Sequence, residues 1–207
     1  SKYNVFIGDK LLAYEKSQLE VKYPEYKALM QEYILLQNSN ADMPAAQLNL
    51  ASLSLNLGDI NATQRALEQA LIISPAYLPA LLNSADIQRQ IGNEKESERL
   101  IRKAIKSAPE SGSAYQALGL LYVRQGNMQQ AMKSLKKATE VEPSNTRVRY
   151  VYAVALADQG NNLAAITELK AGLEHNPYDI ASLRFIVTLL DKEGRTMQAG
   201  PYRKRLP

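Results

Sequence analysis

Few residues in this chain have the types and spacing to make or break bonds. His175 is the only histidine, and there is no cysteine. A transition-metal site or a thiol nucleophile therefore lacks its ligands, and disulfides and Cys-x-x-Cys-His haem attachment are excluded within these residues. His175 stands near the end of an expected helix and reads as a helix-terminal surface residue. Glu94, Glu96 and Glu98 are interleaved with Lys95, Arg99, Arg102 and Lys103. Glu98/Arg102 is an i,i+4 pair and Glu96/Arg99 an i,i+3 pair, the pattern of a solvated helix face rather than of acid–base carboxylates. No glycine-rich phosphate loop and no Ser/His/Asp set can be assembled. The sequence predicts no enzyme, no cofactor and no metal; the chemistry on offer is recognition by amides, guanidiniums and phenols.

The elements that would carry such groups belong to one kind of chain. Hydrophobic residues make up 45% of the 207 positions and charged residues 22%, which excludes a disordered tail. The longest apolar runs, such as Val151–Ala157, fall far short of the ~20 residues that a membrane span needs. Ser1-Lys2-Tyr3-Asn4 lacks the basic start and apolar stretch of a signal peptide, and the missing initiator Met suggests a processed or excised chain. The net charge is +4; residues 180–207 hold six Lys/Arg against two Asp/Glu, so the whole excess lies in a basic tail.

Spacing is the strongest signal. Pro75, Pro109, Pro143 and Pro177 are 34 residues apart, and so are Gly58, Gly92, Gly126, Gly160 and Gly194. With the prolines at position 32, full repeats run 44–77, 78–111, 112–145 and 146–179, with a partial one at 180–207. Position 8 holds Ala51, Ala85, Gly119 and Ala153; position 20 holds Thr63, Ser97, Ala131, Ala165 and Ala199; position 27 holds Ala70, Ala104, Ala138 and Gly172. Small residues there let two helices approach closely, and a larger side chain would overpack at a cost of roughly 1–3 kcal/mol. The Gly suits a left-handed cap after the first helix, and Asp59, Asn93, Asn127 and Asn161 can cap the second. The Pro stops the second helix from continuing.

First helices are predicted at 44–57, 78–91, 112–125, 146–159 and 180–193, and second helices at 60–73, 94–107, 128–141 and 162–175. A short last helix is expected within 196–206, interrupted by Gly200-Pro201. Residues 1–43 read as a helical cap or degenerate repeat, with 24–38 as its second helix and 8–20 as the partner helix.

A 34-residue helix–turn–helix unit resembles the tetratricopeptide repeat (TPR). The third repeat carries that signature as Tyr115-x-x-Leu118-Gly119-x-x-Tyr122, then Ala131-x-x-x-Leu135, then Pro143, with Tyr and Leu in place of the usual Trp and Phe. The resemblance implies an all-α fold: a right-handed solenoid of about five repeats plus the N-terminal cap. It implies a concave surface lined by first helices, which binds a protein or peptide partner. The polar groove residues would be Asn49, Ser52, Asn56, Asn83, Asp86, Arg89, Gln90, Gln116, Arg124, Arg147, Tyr150, Asp158, Arg184 and Lys192. Asn49 and Asn83 share one position in adjacent repeats and suit both edges of an extended backbone. Arg147, Tyr150 and Arg184 suit a carboxylate. The chaperone-type clamp needs Lys at position 5 and Asn at position 9; Leu48/Ser52 and Leu82/Asp86 stand there instead.

Four stretches resemble a narrower family, the C-terminal TPR region of bacterial periplasmic multihaem c-type cytochromes. These are Ala41–Ala51, Ala117–Gly126, Tyr150–Leu156 and His175–Asp179. This resemblance implies a docking or assembly region of an electron-transfer protein with its haems upstream, and favours a periplasmic over a cytoplasmic location. Two other functions compete. Nucleic-acid binding through Arg203, Lys204 and Arg205 is disfavoured, because the charge is local. Self-association as a homodimer would follow if the last helix left Phe185, Ile186, Leu189 and Leu190 uncovered.

Overall fold

The computed structural model describes residues 24–207, so the proposed helix at 8–20 lies outside the described residues. Those described form eleven helices and no strand: α1 Pro24–Ser39, α2 Pro44–Asn56, α3 Ile60–Ile73, α4 Leu78–Gln90, α5 Glu94–Ser107, α6 Gly112–Arg124, α7 Met128–Val141, α8 Thr146–Asp158, α9 Asn162–His175, α10 Ile180–Lys192 and α11 Thr196–Arg203. The second helices begin and end at the predicted residues, and the first helices end one residue early. The chain divides into two compact units, at Ser107/Ala108.

Each helix break has a local cause. All five repeat glycines have positive φ, between 70° and 83°, the left-handed conformation that ends a first helix most cheaply without a Cβ. Asp59 accepts from the Ala62 amide at 2.8 Å and Asn127 from the Gln130 amide at 3.2 Å, as expected of caps. Asn161 occupies the cap position but its side chain makes no cap bond. The first helices have a second set of caps, which the repeat period alone does not reveal. Ser111, Asn145 and Asp179, two residues after the repeat prolines, accept from the amides of Ala114, Val148 and Ser182. Each cap is worth about 1 kcal/mol.

In the first unit α2/α3 and α4/α5 are antiparallel hairpins, and α4 also meets α3 and α2. Their core is built on Ala51, Leu67, Ala70, Ala80 and Ile87. Tyr33 and Ile34 of α1 pack against Leu53 of α2. In the second unit the hairpins are α6/α7, α8/α9 and α10/α11, with α7 against α8 and α9 against α10. Here Ala153, Leu156, Ile166, Leu169, Leu183, Ile186 and Leu190 share one core. The small residues at positions 8, 20 and 27 are all buried. The interruption expected at Gly200-Pro201 does not occur: α11 runs through both. Pro201 removes one amide near the end of a helix that is held down by buried Ala199 and by Tyr202 and Leu206 packed on the core. That helix covers Ile186, Leu189 and Leu190, which are at most 3% exposed, and Phe185 is half-buried. The condition for an uncovered apolar patch there is not met.

Candidate partner-binding face

Each hairpin buries one stripe of its first helix and leaves the groove positions toward solvent. In the first unit the α2 and α4 stripes flank a cleft of about 90 Å³. Leu67 of α3 and Ile87 of α4, each 2% exposed, line it as its apolar part. Ser52, Leu55, Asn83 and Asp86 also line it.

The expected polar residues differ in availability. Asn83 is exposed, and among the described residues no other group bonds its amide. Asn49, its counterpart one repeat earlier, donates through Nδ2 to Oε1 of Gln37 on α1 at 2.9 Å. The symmetric Asn pair is therefore not symmetric in use: α1 engages one member. Asp86 and Arg89, expected as separate contacts, bond each other: Arg89 Nε and Nη2 reach Asp86 Oδ1 at 2.8 and 2.6 Å, and Gln90 donates to Oδ2 at 2.9 Å. The i,i+3 spacing on one helix face brings them together and neutralises the charge. Ser52 Oγ donates to the Leu48 carbonyl of its own helix. Leu48, where the chaperone clamp has Lys, packs on the first-unit core.

In the second unit Gln116 is half-buried on α6 and Arg124 is exposed at that helix's last turn. Tyr150 of α8 meets Phe185 of α10 edge-on, with ring centroids 5.8 Å apart at 61°. Arg147, one turn before Tyr150, places its guanidinium 5.8 Å from the centre of the Tyr150 ring. Such contacts orient a cation without neutralising it. Arg184, beside Phe185, is exposed. The role of Phe185 as the ring beside Tyr150 depends on the packing of α8 and α10, which one sequence does not display. His175 is exposed at the end of α9, and no cluster of metal-ligating residues occurs among the described residues. No described helix is long and apolar enough to cross a membrane.

The fold is similar to solved structures. MamA superposes with a TM-score of 0.59 at 20% identity, covering 75% of this chain and 91% of that one. Pseudomonas aeruginosa pilF gives 0.67 at 20%, covering 81% and 75%. YrrB, described as a TPR protein with an unusual peptide-binding site, gives 0.52 at 17%, covering 84% and 89%. No curated protein sequence matches the chain. A family model described as the tetratricopeptide repeat matches residues 45–206, the greater part of the sequence, and the chain belongs to that family.

Proposed function

We propose that the chain is a scaffold that binds an extended peptide or a partner segment on its first-helix face. Tetratricopeptide repeat proteins are generally scaffolds without catalysis of their own, and YrrB, of similar fold, is described as having a peptide-binding site. The observation that carries the reading is the α2/α4 cleft. It sets exposed Leu55, over the buried Leu67 and Ile87, beside an exposed amide, Asn83, that no other described residue bonds. An amide offers both donor and acceptor to a peptide backbone, while Leu55 gives a side chain an apolar contact. The second unit, taken by itself, presents Arg147 and Arg184, whose charges suit a carboxylate.

Peptide selection on the intact protein, followed by titration of the variants, tests this. Asn83→Ala combined with Arg147→Ala should weaken capture by an order of magnitude or more, while the helical circular dichroism stays the same. Undiminished capture would remove the first-helix face as the binding surface.

A second reading makes the array the scaffold end of a haem-bearing periplasmic protein. The run Tyr150-Val151-Tyr152-Ala153-Val154-Ala155-Leu156 supports it. An antibody to this domain, used on fractionated source cells with a stain for covalent haem, decides it. A larger haem-positive band supports that reading and a haem-negative band ends it.

A further inference from the structure

The second helices of the first unit also form a groove, and it is the larger one. It holds about 440 Å³ between α3 and α5, with Ser84, Ile87 and Gln88 of α4 along it. The α3 wall is the stripe Gln64, Leu67, Glu68, Leu71 and Ile72. These positions follow the i, i+3, i+4 spacing of one helix face and span about 12 Å of helix axis. Leu67, Ile87 and Leu100 form its floor but are at most 5% exposed, so the apolar surface open to a ligand is that of Leu71 and Ile72. Ile72, on its lip, is 72% exposed.

The repeats provide an internal control. Position 25 is Arg102, Lys136 and Lys170 in the second, third and fourth repeats, but Glu68 in the first. Position 29 is Lys106, Glu140 and Glu174 in those repeats, but Ile72 in the first. In the third repeat the two positions are an ion pair, with Lys136 Nζ 4.0 Å from Glu140 Oε1. The groove repeat thus replaces a charged side chain by an exposed aliphatic one and, one turn away, a base by an acid. Glu68 is exposed and makes no ion pair or hydrogen bond with another described residue. The other carboxylate along the groove, Glu96, is already held by Arg99 at 2.7 and 2.6 Å. The groove's uncommitted charge is therefore negative.

We infer that the α3/α5 groove is a second docking site, which takes a basic amphipathic helix of a partner protein. An aliphatic stripe at i and i+4 would cover Ile72 and Leu71, and a Lys or Arg beside it would reach Glu68. Helix-in-groove docking reads a partner through just such a stripe. Buried apolar area supplies the attraction, and the flanking base sets the polarity.

Anisotropy with two labelled helical peptides tests it. Both carry Leu at i and i+4; one is flanked by Lys and the other by Glu. The host variant is Glu68→Lys/Ile72→Glu, which writes into the first repeat the residues that the third and fourth already carry and therefore suits the repeat fold. The Lys-flanked peptide should bind the native protein at least tenfold more tightly than it binds the variant, and the Glu-flanked peptide should bind neither. Equal binding to both proteins, equal binding of both peptides, or no binding at all would overturn the inference. So would a concentration-dependent dimer in light scattering that the variant abolishes, because the occupant would then be a second copy of the chain.

Discussion

Arg149 of α8 and Glu168 of α9 form an ion pair of 2.6 Å with side chains only 15% and 22% exposed. The same guanidinium donates through Nε to the Pro143 carbonyl at 2.6 Å. One side chain thus joins the turn that ends the third repeat to both helices of the fourth. Because little solvent reaches the pair, removing one partner leaves a charge poorly compensated. Glu168→Gln should lower stability by about 1–3 kcal/mol, less than for a fully buried pair. Urea unfolding should show an earlier midpoint at unchanged slope. An unchanged midpoint would mean that the pair only decorates the surface.

Two glycines separate conformational from steric demand. Gly126 has φ 72° with nothing within 4 Å of a built Cβ. Gly126→Ala should therefore cost about 1–2 kcal/mol from backbone conformation alone, and Gly126→Asn less, because Asn visits that region. Gly119 is helical, but its Cβ would stand 2.6 Å from Leu135 Cδ2. Gly119→Ala should cost roughly 1–3 kcal/mol by overpacking. Shortening Leu135 to Val should recover part of that loss at Gly119 and none at Gly126. Thermal melts of the single and double variants check both.

These contrasts mark what the sequence could tell. Period alone located the breaks at Gly126 and Pro143, because φ > 0 and a missing amide are properties of single residues. It located the small buried positions, because crowding recurs in every repeat. It did not show that Asn49 is engaged by Gln37, that Asp86 and Arg89 neutralise each other, or that Tyr150 meets Phe185. Those outcomes depend on rotamers and on neighbouring helices. The caps Ser111, Asn145 and Asp179 were legible in principle, since each is a good cap type two residues after the repeat proline.

Acid should act measurably at Glu96. Hydrogen bonds from Arg99 hold its carboxyl below the usual carboxylate range, with the Arg99 charge adding to them and burial opposing. A carboxylate with a depressed folded-state pKa contributes stability that is complete above its unfolded value. That contribution disappears as pH falls through the depressed value. Arg99→Gln should return Glu96 toward the ordinary range and flatten this dependence. Side-chain carboxyl shifts followed by NMR during acid titration check it, and no upward movement in the variant would assign the depression to another cause.

The last helix carries a prediction about association. Ala199 of α11 is fully buried against the core that holds Ile186, Leu189 and Leu190. Arg205 pins the segment further: it donates to the Pro177 carbonyl, and its guanidinium lies 5.9 Å from the ring centres of both Tyr178 and Tyr202. Ending the chain at Arg195 would uncover the apolar face of α10 while leaving its own hydrogen-bonded turns in place. Exposed contiguous apolar surface seeks a partner. The truncated chain should therefore melt at a lower temperature than the full one and associate more strongly, seen as a concentration-dependent rise in mass by light scattering. Arg205→Ala should do neither to the same extent, because the α11 packing contacts remain; faster amide exchange confined to α11 is its expected signature. If the truncated chain scatters and melts like the full one, α11 adds no cover that matters.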